Sequence, residues 1–185
     1  MKELGIAAIA WAPAAFVLSI LLGPATAAGA SDCGHDLPQD WRVSTGDPSI
    51  GIMLEEGLQR SATFKSLVER IQKTDGIVSI QPGVCGHAVK GCLLHTMSVV
   101  EACRYLSILI DTNQKSVDLI GTIGHELQHA FEVLRDPRIT SGLGILSLVQ
   151  SGRSEHYYET EDAVRVGDTV RSEVRESAKK IGRLR

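Results

Sequence analysis

The sequence predicts a single α+β domain, and two kinds of pattern support this fold class. Apolar residues recur every three or four positions in separate segments, which is the spacing of an amphipathic helix. Between these segments lie short apolar runs rich in β-branched residues, which favour strands. The chain has 185 residues, which suits one domain with its own hydrophobic core. The elements follow one another as helix, strands, helix and helix, without an internal repeat.

The first helix is predicted from about residue 61 to residue 74. Its apolar residues share one face at helical spacing, and Gly76 follows the last of them as a C-cap residue. These apolar residues are Phe64, Leu67, Val68 and Ile71. The pattern therefore indicates an amphipathic helix that buries one side.

Three apolar runs of strand length follow this helix. The first covers residues 77–80 and stops at Pro82 and Gly83. The other two cover residues 93–100 and 105–111. The last run is rich enough in isoleucine and leucine to be a buried strand. As a separate hypothesis, it forms an edge along which an extended peptide lies.

The longest helical pattern covers about residues 116–135 and ends at Asp136 and Pro137. Apolar residues and a glycine mark one of its faces at three- and four-residue steps. They are Val117, Ile120, Gly124, Leu127, Phe131 and Leu134. Gly121 and Gly124 each cost the helix about 1 kcal/mol relative to alanine. We expect a close approach of this helix to the sheet to offset that cost.

Three further segments complete the predicted domain. Residues 31–52 are expected to form an extended, irregular arm, because prolines and glycines are frequent there. Residues 140–154 are rich in glycine and serine around several apolar residues, which indicates either a loop or a short helix. A last helix is expected from about Glu155 to the end of the chain.

The first thirty residues differ in composition from the rest. A short charged start precedes an apolar run over residues 4–22, and small residues follow as far as Ala30. This pattern predicts a secretory signal peptide over residues 1–30, cleaved after Ala28 or Ala30, and a secreted or periplasmic domain over residues 31–185. The alternative is a retained membrane anchor, which Pro13 within the apolar run disfavours. No stable membrane insertion is expected after cleavage.

All four cysteines, Cys33, Cys85, Cys92 and Cys103, lie in the predicted mature part. An even number in an exported chain favours disulfides, and three pairings are open. No Cys-x-x-Cys occurs, so neither a redox motif nor a zinc knuckle is supported. The net charge is -3 without a basic stripe, so nucleic acid is not an expected partner.

The central helix contains the sequence His-Glu-Leu-Gln-His over residues 125–129. Residues four apart lie on the same face of a helix, so His125 and His129 present two imidazoles to one point. Zinc binds imidazole nitrogen, and a coordinated water then has a pKa of about 7. Glu126 is the candidate catalytic residue, because its carboxylate can reach that water and take its proton. The alternatives are a metal site without catalysis, or polar residues on an exposed helical turn.

A catalytic zinc site needs a third protein ligand and an open fourth position. The pattern HExxHxxGxxH is absent, because Glu132 and Arg135 stand at its glycine and histidine positions. The predicted last helix offers several acids instead. Its apolar stripe, at 100° per residue, lies on the same side as Glu159. The residues of this stripe are Ala163, Val166, Val170 and Val174.

Glu159 is therefore the predicted third ligand. A carboxylate on a buried stripe is costly unless a metal or another charge meets it. Glu155 and Asp162 lie within about 60° of the same direction and stay alternatives. Glu159 could also be an acid that the helix dipole favours at a helix start.

This arrangement resembles the gluzincin branch of the zincin metallopeptidases, and it is similar to small secreted bacterial HExxH proteins. The two helices carry the resemblance, which covers residues 77–174 at most. The family implies a short mixed sheet packed on the zinc helix and a C-terminal helix that supplies the third ligand. It also implies one Zn²⁺ ion and hydrolysis of a peptide or protein substrate, with Glu126 as general base.

The chain departs from this family at one position. Gluzincins commonly carry an aspartate one turn after the ligand glutamate, where it orients a zinc histidine, but Ala163 stands there. Asp162 beside it and Glu132, one turn after His129, are the candidate orienting residues.

The sequence alone leaves open which residue stabilises an oxyanion and whether the protein is an active peptidase. The sequence candidates for an oxyanion stabiliser include Tyr157 and Tyr158, although such tyrosines are more often packing or surface residues. The alternative function is a catalytically silent, secreted binding or interaction protein with a zincin fold, which the small size of the chain favours. A peptidase that acts only on its own chain or on a single partner is a further alternative.

Overall fold

The computed structural model describes Cys33 and residues 42–86, 89–151 and 159–183. In these ranges a four-stranded sheet and five helices form an α+β arrangement, so the predicted α+β class is confirmed. The predicted signal peptide, together with Glu155, Tyr157 and Tyr158, lies outside the described residues.

The sheet is mixed. Its strands are β1 (Val43–Thr45), β2 (Gly76–Pro82), β3 (Gly91–Val100) and β4 (Cys103–Ile110). Their order across the sheet is β1-β2-β4-β3, with parallel β1–β2 and β2–β4 pairs and an antiparallel β3–β4 pair. The hypothesis that residues 105–111 form a sheet edge is therefore wrong, because β4 pairs with a strand on each side. The outer strand next to it is β3.

The helices are α1 (Pro48–Arg60), α2 (Ala62–Ile71), α3 (Ser116–Leu134), α4 (Gly142–Ser151) and α5 (Glu161–Gly182). Helices α1, α3 and α4 pack against strands of the sheet, and α2 and α5 pack against other helices. The bounds of α2 and α3 agree closely with the predicted helices. The segment predicted as a loop or a short helix contains α4. The described part of the last helix begins at Glu161, and residues 159 and 160 are not helical.

The predicted irregular arm over residues 31–52 is wrong in its second half, where β1 and the start of α1 form. Asp47 is the N-cap of α1, and its carboxylate accepts the backbone N–H groups of Ser49 and Ile50 at 2.9 and 3.0 Å. Pro48 occupies the first turn, where its missing N–H costs nothing. The residues that predicted a loop thus form a helix start.

Helix α3 packs against the sheet on one side and against α2 and α5 on others. It therefore buries much more than the single apolar face that the sequence predicts. Its buried polar and charged residues are Thr122, Glu126, Gln128, His129 and Glu132. Buried polar groups are costly without hydrogen bonds, and every buried side-chain nitrogen and oxygen of the described residues has a partner.

The glycines of α3 meet α5 rather than the sheet, so the expectation of a close helix–sheet approach there is wrong. A Cβ atom added to Gly121 would lie 2.2 Å from Cγ of Arg171, and one added to Gly124 would lie 3.1 Å from Cγ2 of Val170. Both of these neighbours belong to α5. The cost of the glycines in the helix is thus offset by close packing of two helices.

Arg104 fixes the C-terminal end of α3 to the sheet. The residue is 2% exposed, and its guanidinium group binds the carboxylate of Asp75 at 2.6–2.9 Å. The same group donates hydrogen bonds to four backbone carbonyls at and beyond the end of α3. These belong to Val133, Leu134, Asp136 and Ile139. The last carbonyls of a helix have no intrahelical partner, and this arginine donates to two of them, those of Val133 and Leu134.

Two disulfides join the four cysteines. Cys33 is bonded to Cys103, and Cys85 is bonded to Cys92. This selects one of the three pairings that the sequence leaves open, and it indicates an oxidising, extracytoplasmic environment. Among the helices in the described ranges, none is both long enough and apolar enough to span a bilayer.

Candidate metal centre

His125 and His129 lie one helical turn apart on α3, and their rings meet edge to face. The ring centroids are 4.8 Å apart with an interplanar angle of 78°. The two Nε2 atoms approach to 3.1 Å. The sequence spacing on the helix thus brings two nitrogen donor atoms to one place, as predicted from the i, i+4 relationship.

Glu159 joins the two histidines from a different part of the chain. Its Oε1 atom lies 3.4 Å from Nε2 of His125. One donor atom from each of His125, His129 and Glu159 lies within 4.8 Å of the other two, so the group could hold a metal ion. In a tetrahedral site with bonds of about 2.0–2.1 Å, neighbouring donor atoms lie about 3.3–3.4 Å apart. The 3.1 and 3.4 Å separations are close to this spacing.

Glu159 was predicted from the helical phase of the last helix, but that phase is not what places it. The apolar stripe of α5 is buried as predicted, from Ala163 to Val174. Glu159, however, precedes the helix by two residues, so the phase of α5 does not set its direction. The C-terminal helix therefore does not itself supply this side chain. The segment just before the helix supplies it.

His125 is in the protonation state that metal binding requires. Burial of the ring and, to a lesser degree, the neighbouring His129 lower the pKa of His125 to about 4. His125 is therefore neutral at pH 7. Nδ1 of His129 faces a carboxylate oxygen of Glu132 at 3.3 Å, so we assign its proton to Nδ1. That assignment leaves a lone pair on Nε2, the atom that faces His125.

Glu132 is the candidate orienting residue that contacts the ring of His129. Its carboxylate is 4% exposed and also accepts hydrogen bonds from Nε2 of Gln128 at 3.1 Å and Oγ1 of Thr160 at 2.8 Å. Burial opposes ionisation of this group, but the hydrogen bonds from His129, Gln128 and Thr160 outweigh it and lower the pKa of Glu132 to about 2. A buried, ionised carboxylate thus stands behind a candidate ligand, as is usual for zinc histidines.

The other candidate orienting residue, Asp162, lies at the surface. Its side chain is 51% exposed and pairs with Arg165 at 2.5 Å. Among the described residues, Glu132 rather than Asp162 therefore contacts a candidate histidine ligand. Tyr157 and Tyr158, the candidates for oxyanion stabilisation, lie outside the described ranges.

Glu126 lies between the metal group and strand β3. Its side chain is 5% exposed, and its carboxyl group accepts a hydrogen bond from the backbone N–H of Leu93. A Cβ atom added to Gly91 would lie 2.9 Å from Cγ of Glu126, so glycine allows this close approach. Burial raises the pKa of Glu126 to about 7.

Three contributors to this site were not among the sequence-predicted residues: Thr160, Gln128 and the start of β3. Thr160 could have been found, because a threonine followed by Glu161 and Asp162 is a typical helix start. Gln128 lies inside the His-Glu-Leu-Gln-His motif, but the spacing of the motif's histidines and glutamate gives no role to this position. The approach of β3 to Glu126 depends on the fold and has no local signal.

Comparisons with protein-family models, with curated proteins and with solved structures find no match to this chain.

Proposed function

We propose that this protein is a zinc-dependent peptidase that hydrolyses peptide bonds. The convergence of His125, His129 and Glu159 donor atoms within 4.8 Å of one another carries the proposal. Surface acids often cluster without a metal. Two buried or half-buried imidazoles with facing Nε2 atoms and a carboxylate are a more specific arrangement.

The donor set suits zinc. Two imidazole nitrogens and one carboxylate are a ligand set of catalytic zinc sites, which keep a fourth position open. The buried carboxylate of Glu132 behind His129 is the outer partner that such a histidine needs. The side chain of Glu159 is 49% exposed. Solvent can therefore reach the three candidate ligands from the side on which Glu159 lies.

The residues around the group support general acid–base chemistry. When bound, zinc lowers the pKa of a coordinated water to about 7 and polarises a substrate carbonyl. Glu126 takes a proton from the attacking water and delivers it to the leaving amine nitrogen. The Leu93 N–H holds the carboxyl group of Glu126 in place.

We place an extended peptide substrate along β3, beside Glu126. This strand is the outer one of the described sheet, and its side away from β4 pairs with no other strand of that sheet. A strand edge without a partner strand can bind an extended peptide through main-chain hydrogen bonds. Farther along β3 the start of α4 lies against the His95 carbonyl, so the peptide is placed at the first residues of β3. Because Gly91 and Leu93 contact Glu126, a peptide at this end of β3 would bring a peptide bond near the candidate base.

Removal of the metal is expected to abolish hydrolysis reversibly. The mature chain is incubated with an unbiased peptide mixture, and new peptide termini are counted by mass spectrometry. A zinc chelator should reduce cleavage to background, because Glu126 alone does not activate water enough. Addition of equimolar zinc after chelator removal should restore it.

A non-chelating isomer of the same chelator serves as the control and should leave cleavage unchanged. Cleavage that persists after complete zinc removal would contradict the proposal. The absence of cleavage by the zinc-loaded protein across the mixture would instead favour a silent binding protein.

A further inference from the structure

Thr160 occupies a junction between the candidate ligand Glu159 and helix α5. Its hydroxyl accepts the backbone N–H of Ala163 at 3.1 Å, which makes it the N-cap of α5. The same hydroxyl donates its proton to Oε1 of Glu132 at 2.8 Å. One side chain therefore caps α5 and fastens the start of that helix to α3.

The carboxylate of Glu132 contacts Thr160 and two side chains of α3. Its Oε1 atom accepts from Thr160 and Gln128, and its Oε2 atom faces Nδ1 of His129. The group is almost fully buried. It therefore links the ring of one candidate ligand on α3 to the residue that directly follows another candidate ligand.

Glu159 needs such a link more than the two histidines do. His125 and His129 are fixed by the helix on which they stand, and both are mostly buried. Glu159 lies outside any described helix or strand, and half of its side chain is exposed. A flexible carboxylate in that position loses side-chain entropy when it binds a metal, so a fixed neighbour reduces the loss.

We propose that Thr160 is a positioning residue of the metal centre, which holds Glu159 against the two histidines through its hydrogen bond to Glu132. This inference rests on the proposed function, because it assumes that the three residues hold zinc. It assigns to Thr160 and Glu132 together the role of aligning ligands from two separate elements. Loss of a contact to a metal-binding side chain typically lowers metal affinity by about 10–100-fold.

The test replaces Thr160 by valine, which has the same shape but no hydroxyl. Zinc affinity is measured by competition with a chromophoric chelator, and the visible spectrum of the cobalt-substituted protein reports the coordination geometry. We expect Thr160→Val to bind zinc about 10–100-fold more weakly and to show an altered cobalt spectrum. Thr160→Ser retains the hydroxyl and should restore both values.

Thr169→Val is the matched control, because the hydroxyl of Thr169 donates only to the Arg165 carbonyl within α5 among the described contacts. This variant tests whether loss of a threonine hydroxyl from α5, away from Glu132, is enough to affect the metal. Circular dichroism of the metal-free proteins checks that all variants are folded.

The outcomes separate the inference from the proposed function. Zinc affinity and a cobalt spectrum equal to wild type in folded Thr160→Val would overturn the inference and leave the proposed function intact. An equal loss in Thr160→Val and Thr169→Val, or no recovery in Thr160→Ser, would overturn the inference as well. Failure of the wild-type protein to bind zinc would overturn both.

Discussion

Replacement of Glu126 by glutamine is expected to lower kcat/KM for peptide hydrolysis by about 10²–10⁴-fold. The amide has the same size and can still accept the hydrogen bond from the Leu93 N–H, so the packing against Gly91 is preserved. It cannot take a proton from water at neutral pH. Zinc affinity should stay close to that of wild type, because Glu126 is not one of the three candidate ligands. Steady-state kinetics and a zinc titration check both values.

Glu161→Gln is the matched control, since Glu161 is an exposed acid in the first turn of α5, and it should retain full activity. Wild-type turnover in Glu126→Gln would contradict the assigned role. Loss of turnover together with loss of zinc would indicate a structural role instead. A silent binding protein shows no turnover in either variant or in wild type.

Replacement of Arg104 by methionine is expected to destabilise the fold by about 3–5 kcal/mol. The change leaves the partly buried carboxylate of Asp75 without its guanidinium partner and removes the donors for four carbonyls near the end of α3. Buried groups that lose one partner retain the full cost of leaving water. Urea denaturation of the oxidised protein measures the free energy of unfolding.

Arg138→Met removes a surface arginine whose side chain is 88% exposed and pairs with Asp136, and it should cost only about 0–1 kcal/mol. Arg104→Lys keeps the charge but not the planar fork and should fall between the two. An Arg104→Met variant that is less than about 1 kcal/mol less stable than wild type would show that the buried network contributes little.

The central helix and its two histidines could be predicted from the sequence, because both depend on local spacing. A long run of apolar residues at helical steps fixes the helix between Ser116 and Leu134. The i, i+4 spacing then places His125 and His129 on one face. Neither step requires knowledge of the rest of the fold.

The position of Glu159 depends on contacts that are distant in sequence. Helical phase pointed to this residue, yet Glu159 precedes α5, and its neighbour Thr160 bonds to Glu132 on another helix. That bond joins residues 28 positions apart. A periodic pattern carries no information about such a contact, so the identity of the residue could be predicted but the cause of its placement could not.

The order of the strands, the start of α1 and the disulfide pairing could likewise not be predicted from local sequence patterns. Residues 105–111 have the composition of a strand, but only the pairing of β4 with both β2 and β3 shows that it is internal. Proline and glycine near residue 48 suggested a loop, although Asp47 and Pro48 form a helix start. The disulfide between Cys33 and Cys103 spans 70 positions, and the spacing of the cysteines does not select it.

Zinc content and coordination in the purified protein test the central claim most directly. X-ray absorption at the zinc edge should give about one zinc per chain, with two imidazole nitrogens at about 2.0–2.1 Å and a carboxylate oxygen among its ligands. His129→Ala and Glu159→Ala should each lower the bound zinc, whereas Asp162→Ala should not. A wild-type protein that retains no zinc, or zinc that stays in place in both ligand variants, would contradict a metal centre formed by these residues.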